Sequence, residues 1–70
     1  MEKIKHKKIS SLQMDDITVN IYINFVHIID ITDLFETIHF IYYQGKKHIF
    51  MSNKPLLEFI NKKIILCNEQ

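Results

Sequence analysis

The stretch HFIYYQGKKHIFMS, residues 39–52, has two apolar runs on either side of Gly45, the only glycine of the chain. Glycine is favoured where a tight turn needs a positive φ, so Gly45 and Lys46 predict a two-residue hairpin loop of type II′. The register that this loop predicts places Tyr43 opposite His48. The stretch is therefore predicted to form two antiparallel strands.

Both faces of the predicted hairpin are apolar. One face would carry His39, Ile41, Tyr43, His48 and Phe50, and the other would carry Ile38, Phe40, Tyr42, Ile49 and Met51. An antiparallel sheet with one face in water alternates apolar and polar residues, which this stretch does not do. The pattern predicts that both faces of the hairpin are covered.

The strictest alternation of the chain lies upstream, in ITVNIYINF, residues 17–25. Its apolar positions are Ile17, Val19, Ile21, Ile23 and Phe25, which predicts one half-buried strand with all five on a single face. The alternation changes phase over residues 26–29, which predicts a bulge or a bend in that strand.

The N-terminal segment is basic, and residues 1–12 are predicted to be either an edge strand or a flexible tail. Residues 13–16 contain two aspartates and predict a turn, because aspartate side chains bond readily to nearby backbone. Residues 30–37 are predicted to form a connection with one helical turn, because Asp33 and Glu36 have the spacing of a capping pair.

Lys54 and Pro55 predict the start of a C-terminal helix, because proline is favoured at the first helical position. Leu57, Ile60 and Ile64 form an apolar stripe at helical spacing, so the helix is predicted over residues 55–65. The last residues, 68–70, are predicted to form a loose tail. The fold class that follows is α+β, a single small domain with a curved antiparallel sheet of three or four strands and one C-terminal helix packed on it.

Length and composition limit the function. A 70-residue chain buries a small core, and its single cysteine, Cys67, cannot form a disulfide within the chain. A lone thiol is typical of reducing compartments, so a cytoplasmic location is expected. The net charge is +1, and charged or polar residues interrupt every apolar stretch, so no membrane association is expected. Abundant isoleucine and lysine indicate an AT-rich genome, bacterial, phage or viral.

No residue pattern predicts catalysis, a cofactor or a metal. The four histidines do not have the short spacings of zinc ligands, and their predicted role is structural. Asp15 and Asp16 are the only adjacent carboxylates, and in a turn such a pair is usually solvated. We therefore expect a protein that is not an enzyme.

The expected function is protein–protein interaction, because a single short helix can cover only one of the two apolar faces. The alternative to an exposed face is a small curled barrel, in which the strand over residues 17–25 curls over the other face. The chain would act as a small regulator or accessory subunit, bound to a partner protein or to a second copy of itself. The residues predicted to contact the partner are Ile41, Tyr42, Tyr43 and Phe50, with Lys46 and Lys47 at the rim.

Nucleic-acid binding is the alternative. Lys3, Lys5, Lys7 and Lys8 cluster near the N-terminus, and lysines beside sheet aromatics can contact phosphates while the rings stack on bases. The near-neutral charge, the lack of arginine and the absence of a recognition motif weigh against this alternative.

Overall fold

The computed structural model describes residues 4–32 and 36–64. In these ranges the chain forms five strands, β1 (Lys8–Met14), β2 (Ile17–Tyr22), β3 (Phe25–Asp30), β4 (Ile38–Tyr43) and β5 (Lys46–Phe50), and then a helical segment. The strands pair antiparallel in sequence order, β1-β2-β3-β4-β5. The α+β class with one C-terminal helix is confirmed, although the sheet has five strands where three or four were predicted. The curvature of the sheet stays a prediction.

The prediction of one long strand over residues 17–25 is wrong. A tight turn at Ile23 and Asn24 divides the stretch into β2 and β3, which pair from Ile21 opposite Val26 onward. The turn places Phe25 on the face opposite to Ile21, and it accounts for the change of phase that was read as a bulge. Apolar alternation runs through this turn without glycine or proline, so the usual punctuation of a hairpin is missing here.

The β4–β5 hairpin turns one residue earlier than predicted. Gln44 and Gly45 occupy its two central positions with φ values of 52° and 77°, so the turn has the positive φ pair of type I′. Tyr43 consequently pairs with Lys46 instead of His48. A shift of two positions keeps every side chain on its side of the pleat, so the predicted composition of the two faces is confirmed for the paired residues, which do not include Met51.

Of the two alternatives for residues 1–12, an edge strand forms from Lys8 onward and extends to Met14. β1 begins at Lys8, and the predicted turn narrows to Asp15 and Asp16, where Asp15 adopts a φ of 53°. Aspartate is one of the residues that tolerate positive φ best. The helical turn predicted within residues 30–37 is not tested, because residues 33–35 lie outside the described ranges, while Asp30 is the last residue of β3. The tail predicted for 68–70 also lies outside them.

The C-terminal helix begins earlier than Pro55. α1 spans Asn53–Glu58 and continues as a π-helical segment, Phe59–Lys63. Pro55 therefore stands at the third helical position, where its missing N–H would have had no partner within the helix. The buried stripe is also corrected, because Leu56, Ile60 and Ile64 are buried while Leu57 is only half-buried.

The helix covers one face of the sheet, which we call the helix face. The core lies between them and consists of Tyr22, Phe25, Ile41, Leu56, Ile60 and Ile64. Phe59 extends this core over the last hairpin, where its ring lies 4.5 Å from the His48 ring and 5.4 Å from the Phe50 ring, between centroids. These contacts fix the helix across β4 and β5.

The core position of Ile41 can be tested by truncation. Ile41 is fully buried, so Ile41→Ala should lower the free energy of unfolding by about 2–5 kcal/mol through lost burial and a residual cavity. Ile23→Ala is the matched control, because Ile23 is 62% exposed in a turn, and we expect a change within about 0.5 kcal/mol. Denaturant titration measures both. Equal losses for the two variants would contradict this core, and Ile41→Val provides a milder truncation if the alanine variant does not fold.

The type I′ turn predicts that substitutions at its two central positions change the stability in opposite directions. Gly45→Ala should destabilise the protein by about 1 kcal/mol through its positive φ alone, because an added Cβ would meet no atom within 4 Å. Gln44→Asn should stabilise it by a few tenths of a kcal/mol or more, since asparagine tolerates positive φ better. Thermal unfolding measures the difference. A loss of stability in both variants would be inconsistent with this turn.

Candidate functional site

The face of the sheet opposite the helix, which we call the open face, has no covering element among the described residues. It carries Leu12, Met14, Ile17, Val19, Ile21, Val26, Ile28, Ile38, Phe40, Tyr42 and Ile49. Not one of these eleven residues is buried. Met51 follows β5 and is also exposed, at 54%. The sheet therefore presents a continuous apolar surface that its own helix does not reach.

The pairing register orders the open face into rows that run across the strands. The central row consists of Leu12, Val19, Ile28, Phe40 and Ile49, one from each strand. Strands lie about 4.8 Å apart, so this row is about 19 Å long from β1 to β5. Ile28 lies at its midpoint, on the central strand. The middle of the open face is therefore entirely apolar.

The polar residues of the open face lie outside its central row. Asp30 is opposite Ile17 and Ile38 in one flanking row, while Ser10 and Lys47 end the other row. Thr32 donates hydrogen bonds from its backbone N–H and its hydroxyl to the Asp30 carboxylate, and these bonds lower the pKa of Asp30. The charged groups of the face are one carboxylate and one ammonium, so its formal charge is zero.

Lys47 lies partly over the aromatic part of the open face. Its Nζ atom is 5.1 Å from the centroid of the Phe40 ring, within the range of a cation–π contact. The aliphatic part of a lysine can cover apolar surface while its ammonium stays in water. Lys47 therefore shields one edge of the Phe40 ring and leaves the remainder of the row uncovered.

The residues predicted to bind a partner divide between the two faces. Tyr42 and Lys47 lie on the open face. Ile41 is fully buried under the helix, and Tyr43 and Phe50 pack against the core beside Phe59. Lys46 is exposed opposite Tyr43, on the helix side of the sheet. One flat partner surface cannot contact both groups, so the candidate site comprises only the residues of the open face.

Most of the open face was not among the predicted contact residues. The alternating positions Ile17, Val19 and Ile21 were predicted to form the half-buried side of a strand, and the structure leaves that side without a cover. A sequence signal existed, because these residues and the second face of the hairpin are equally apolar. The sequence did not reveal that the β2–β3 turn joins them into one surface.

The N-terminal lysines lie apart from the aromatic residues of the open face. Ile4 packs against the core, and the Lys5 backbone N–H donates a 2.8 Å hydrogen bond to the Asn61 side chain of the helix. His6 is buried edge-on to Phe25, with 5.3 Å between ring centroids. The segment before β1 therefore runs along the helix side. Lys3 lies outside the described residues, and Lys5, Lys7 and Lys8 are exposed.

A pair of histidines is buried on the helix face, and the sequence did not predict it. His27 Nε2 and His39 Nδ1 are 2.9 Å apart, so one nitrogen donates a hydrogen bond and the other accepts it. The register brings these two residues together diagonally across β3 and β4, although they are twelve positions apart in the chain. His27 Nδ1 and both ring nitrogens of His6 are buried without a hydrogen-bond partner among the described residues.

Burial controls the protonation of this pair. Burial, with a smaller contribution from charge repulsion by His39, lowers the pKa of His27 to about 4. Burial also lowers the pKa of His39. Both imidazoles are therefore neutral at pH 7, and the nitrogen that accepts the hydrogen bond between the rings must belong to a neutral imidazole.

His39 also lines a shallow cleft beside the helix. The cleft has a volume of about 290 Å³ and is lined by Glu36, Thr37, His39, Met51, Ser52 and Asn53. It is wide open, and α1 is too short to give it a strong dipole. Within residues 4–32 and 36–64, no group of three or more histidine, cysteine, aspartate or glutamate side chains could hold a metal ion.

In the described ranges no helix has the length and apolar character that crossing a bilayer requires. Comparison with known proteins gives no match to a family model, to a curated protein or to a solved structure. We therefore infer the function from the geometry of the chain.

The histidine pair predicts a pH dependence of stability. The folded pKa of His27 lies below its ordinary value of 6.5, so the unfolded chain binds more protons between pH 6.5 and about 4. The free energy of unfolding should therefore fall as the pH decreases through that window. Asp30 acts separately, because its stabilising contribution is lost only below its ordinary pKa of 3.8.

Urea titrations at several pH values measure this slope. His27→Gln should reduce the slope between pH 6.5 and 4, and the double substitution with His39→Gln should reduce it further. An unchanged slope in the double variant would show that the buried pair does not cause the acid sensitivity.

Proposed function

We propose that this chain is a non-enzymatic interaction module whose open face binds a protein surface. As a small regulator or accessory subunit, it would act by occupying that surface. The chemistry supports this class of function, because the central row of the open face is entirely apolar and can bind only by shape and apolar contact. An intracellular location is part of the proposal, supported by the single cysteine of the chain.

The distribution of polar groups between the two faces carries the proposal. In an isolated two-layer domain the sheet turns its apolar side to the helix and its polar side to water. Here the buried polar side chains, His6, Asn20, His27 and His39, lie on the helix side, and the open face is apolar over eleven positions. An apolar surface of this size on a small protein is typical of an association site.

The composition of the face fits a protein partner. Protein interfaces combine an apolar core with aromatic anchors and keep charged residues at the rim. The open face has aliphatic residues and Phe40 at its centre, Tyr42 beside them, and Lys47 and Asp30 in the flanking rows. Phe40 and Tyr42 are the aromatic anchors that we expect to contribute most to binding.

The nucleic-acid alternative has weaker support. Its premise was that the N-terminal lysines stand beside sheet aromatics, and Lys5 instead adjoins the helix through its bond to Asn61. Only Lys47 accompanies Phe40 and Tyr42 on the open face. A surface with one cation would neutralise about one phosphate, too few for the steep salt dependence of nucleic-acid binding.

Photocrosslinking in the native cell tests the proposal. Benzoylphenylalanine replaces Tyr42, which is 42% exposed on the open face, and the matched control places it at Ile23 in the β2–β3 turn. We expect irradiation to give a covalent protein adduct from position 42 and little from position 23. An adduct that nucleases remove would support the alternative. No adduct from position 42, or equal adducts from both positions, would contradict the proposed function.

A further inference from the structure

We propose that the occupant of the open face is a second copy of this chain, stacked face to face as a symmetric β-sandwich. The inference rests on the proposed function and names its partner. Two sheets in such a sandwich lie about 10 Å apart, and their inner side chains interdigitate to form a shared core. The central row would become the middle of that core.

The size of the open face matches what a stable dimer needs. Five side chains, Leu12, Met14, Ile21, Tyr42 and Ile49, are 38–56% exposed. At about 200 Å² for a large side chain, they expose roughly 500 Å². The half-buried residues between them add to this area, which brings the face toward the ~800 Å² that each partner contributes to a standard interface. The face is therefore large enough for a specific dimer.

Within these 70 residues, no other segment is long enough to cover the open face. The segments outside the described ranges are residues 1–3, 33–35 and 65–70, of which the longest has six residues. A single strand has about five or six residues, whereas a layer that covers five strands needs several such elements. A second copy supplies a layer of matching width, because it presents the same five strands.

The charges of the face favour one arrangement of the two copies. A two-fold axis along the central row, across the strands, exchanges the flanking rows and places Asp30 opposite Val26 of the second copy. An axis along the strands would instead bring the two Asp30 carboxylates together, which is unfavourable between like charges. Because the formal charge of the face is zero, stacking two copies causes no net repulsion. We therefore assign the axis to the central row.

In this arrangement Ile28 lies at the centre of the dimer. It is the midpoint of the central row on the central strand, so each Ile28 meets its counterpart near the two-fold axis. Leu12 of one copy then lies over Leu12 of the other. With the axis along the strands, Leu12 would instead meet Ile49, about 19 Å from its own counterpart.

Sedimentation of the purified chain and of charged variants tests the inference. We expect the parent protein to be a dimer that dissociates on dilution. Ile28→Lys and Ile28→Glu should each be monomeric, because an unpaired charge would be buried at the two-fold axis. An equimolar mixture of the two should recover a 1:1 heterodimer, because opposite charges then meet. Ile23→Lys, with the added charge in the turn, should dimerise like the parent.

Circular dichroism must show that each variant is folded. If an Ile28 variant is unfolded, Ile49→Lys replaces it, because Ile49 is 56% exposed and tolerates a charge in the single chain. A parent protein that is monomeric at every concentration would overturn the inference, as would mixtures that stay monomeric. If the parent is monomeric but position 42 crosslinks a different protein in the cell, the proposed function stands and the homodimer does not. If the parent is monomeric and position 42 crosslinks no protein, the proposed function and the homodimer are both wrong.

The position of the axis has its own test. In a Cys67→Ser background, Leu12→Cys should crosslink two copies through a short bismaleimide, because the two positions face each other across about 10 Å. Met14→Cys is the control, since the axis carries it away from its counterpart and opposite Ser10. A dimer in which Leu12→Cys does not crosslink would overturn the assignment of the axis to the central row, because an axis along the strands carries Leu12 about 19 Å from its counterpart.

Discussion

The packing of one short helix on a five-stranded sheet is the constraint on which the rest of the structure depends. A sheet has two faces, and an element of eleven residues can cover part of one. Leu56, Ile60 and Ile64 commit that element to the helix face, where Ile41 is fully buried between them and the sheet. The apolar side chains on the open face of the strands consequently have no cover from the described residues.

The two faces also differ in chemistry in a way that a self-sufficient domain would not need. The covered side holds three histidine ring nitrogens that have no hydrogen-bond partner within residues 4–32 and 36–64, and burying such groups costs free energy. The open side holds isoleucine, valine and phenylalanine in an unbroken central row. The arrangement is consistent with a three- or four-layer assembly, in which the open face becomes the principal core and the helix side becomes the outside.

Alternation predicted the strands but not the way they are divided. Ile23 continues the apolar alternation of β2, so the sequence does not indicate that the chain reverses there. The face composition of the β4–β5 hairpin was predictable despite the shifted register, because a shift of two positions preserves the side of every residue. The helix was predictable from its apolar spacing, and its early start was not, because proline is tolerated throughout the first turn.

The sequence predicted that both faces of the hairpin would be covered, but it did not predict which residues form the candidate site. Since both faces of the hairpin are apolar, the sequence could not decide whether Tyr42 or Tyr43 would lie under the helix. That choice depends on how Phe59 packs across two strands, which is tertiary information. The histidine pair depends likewise on the β3–β4 register, which brings together residues with no recognisable spacing in the sequence.

The central claim is that the open face is the inside of an assembly. Methyl NMR with a soluble paramagnetic agent measures it most directly, because isoleucines occupy both environments. In the assembled protein, the methyl signals of Ile28 and Ile49 should resist broadening as strongly as that of Ile41, while Ile23 broadens fully. In the single chain Ile49 and Ile23 are similarly exposed, at 56% and 62%. If Ile49 broadens as much as Ile23 under those conditions, the open face is in water and is not the inside of an assembly.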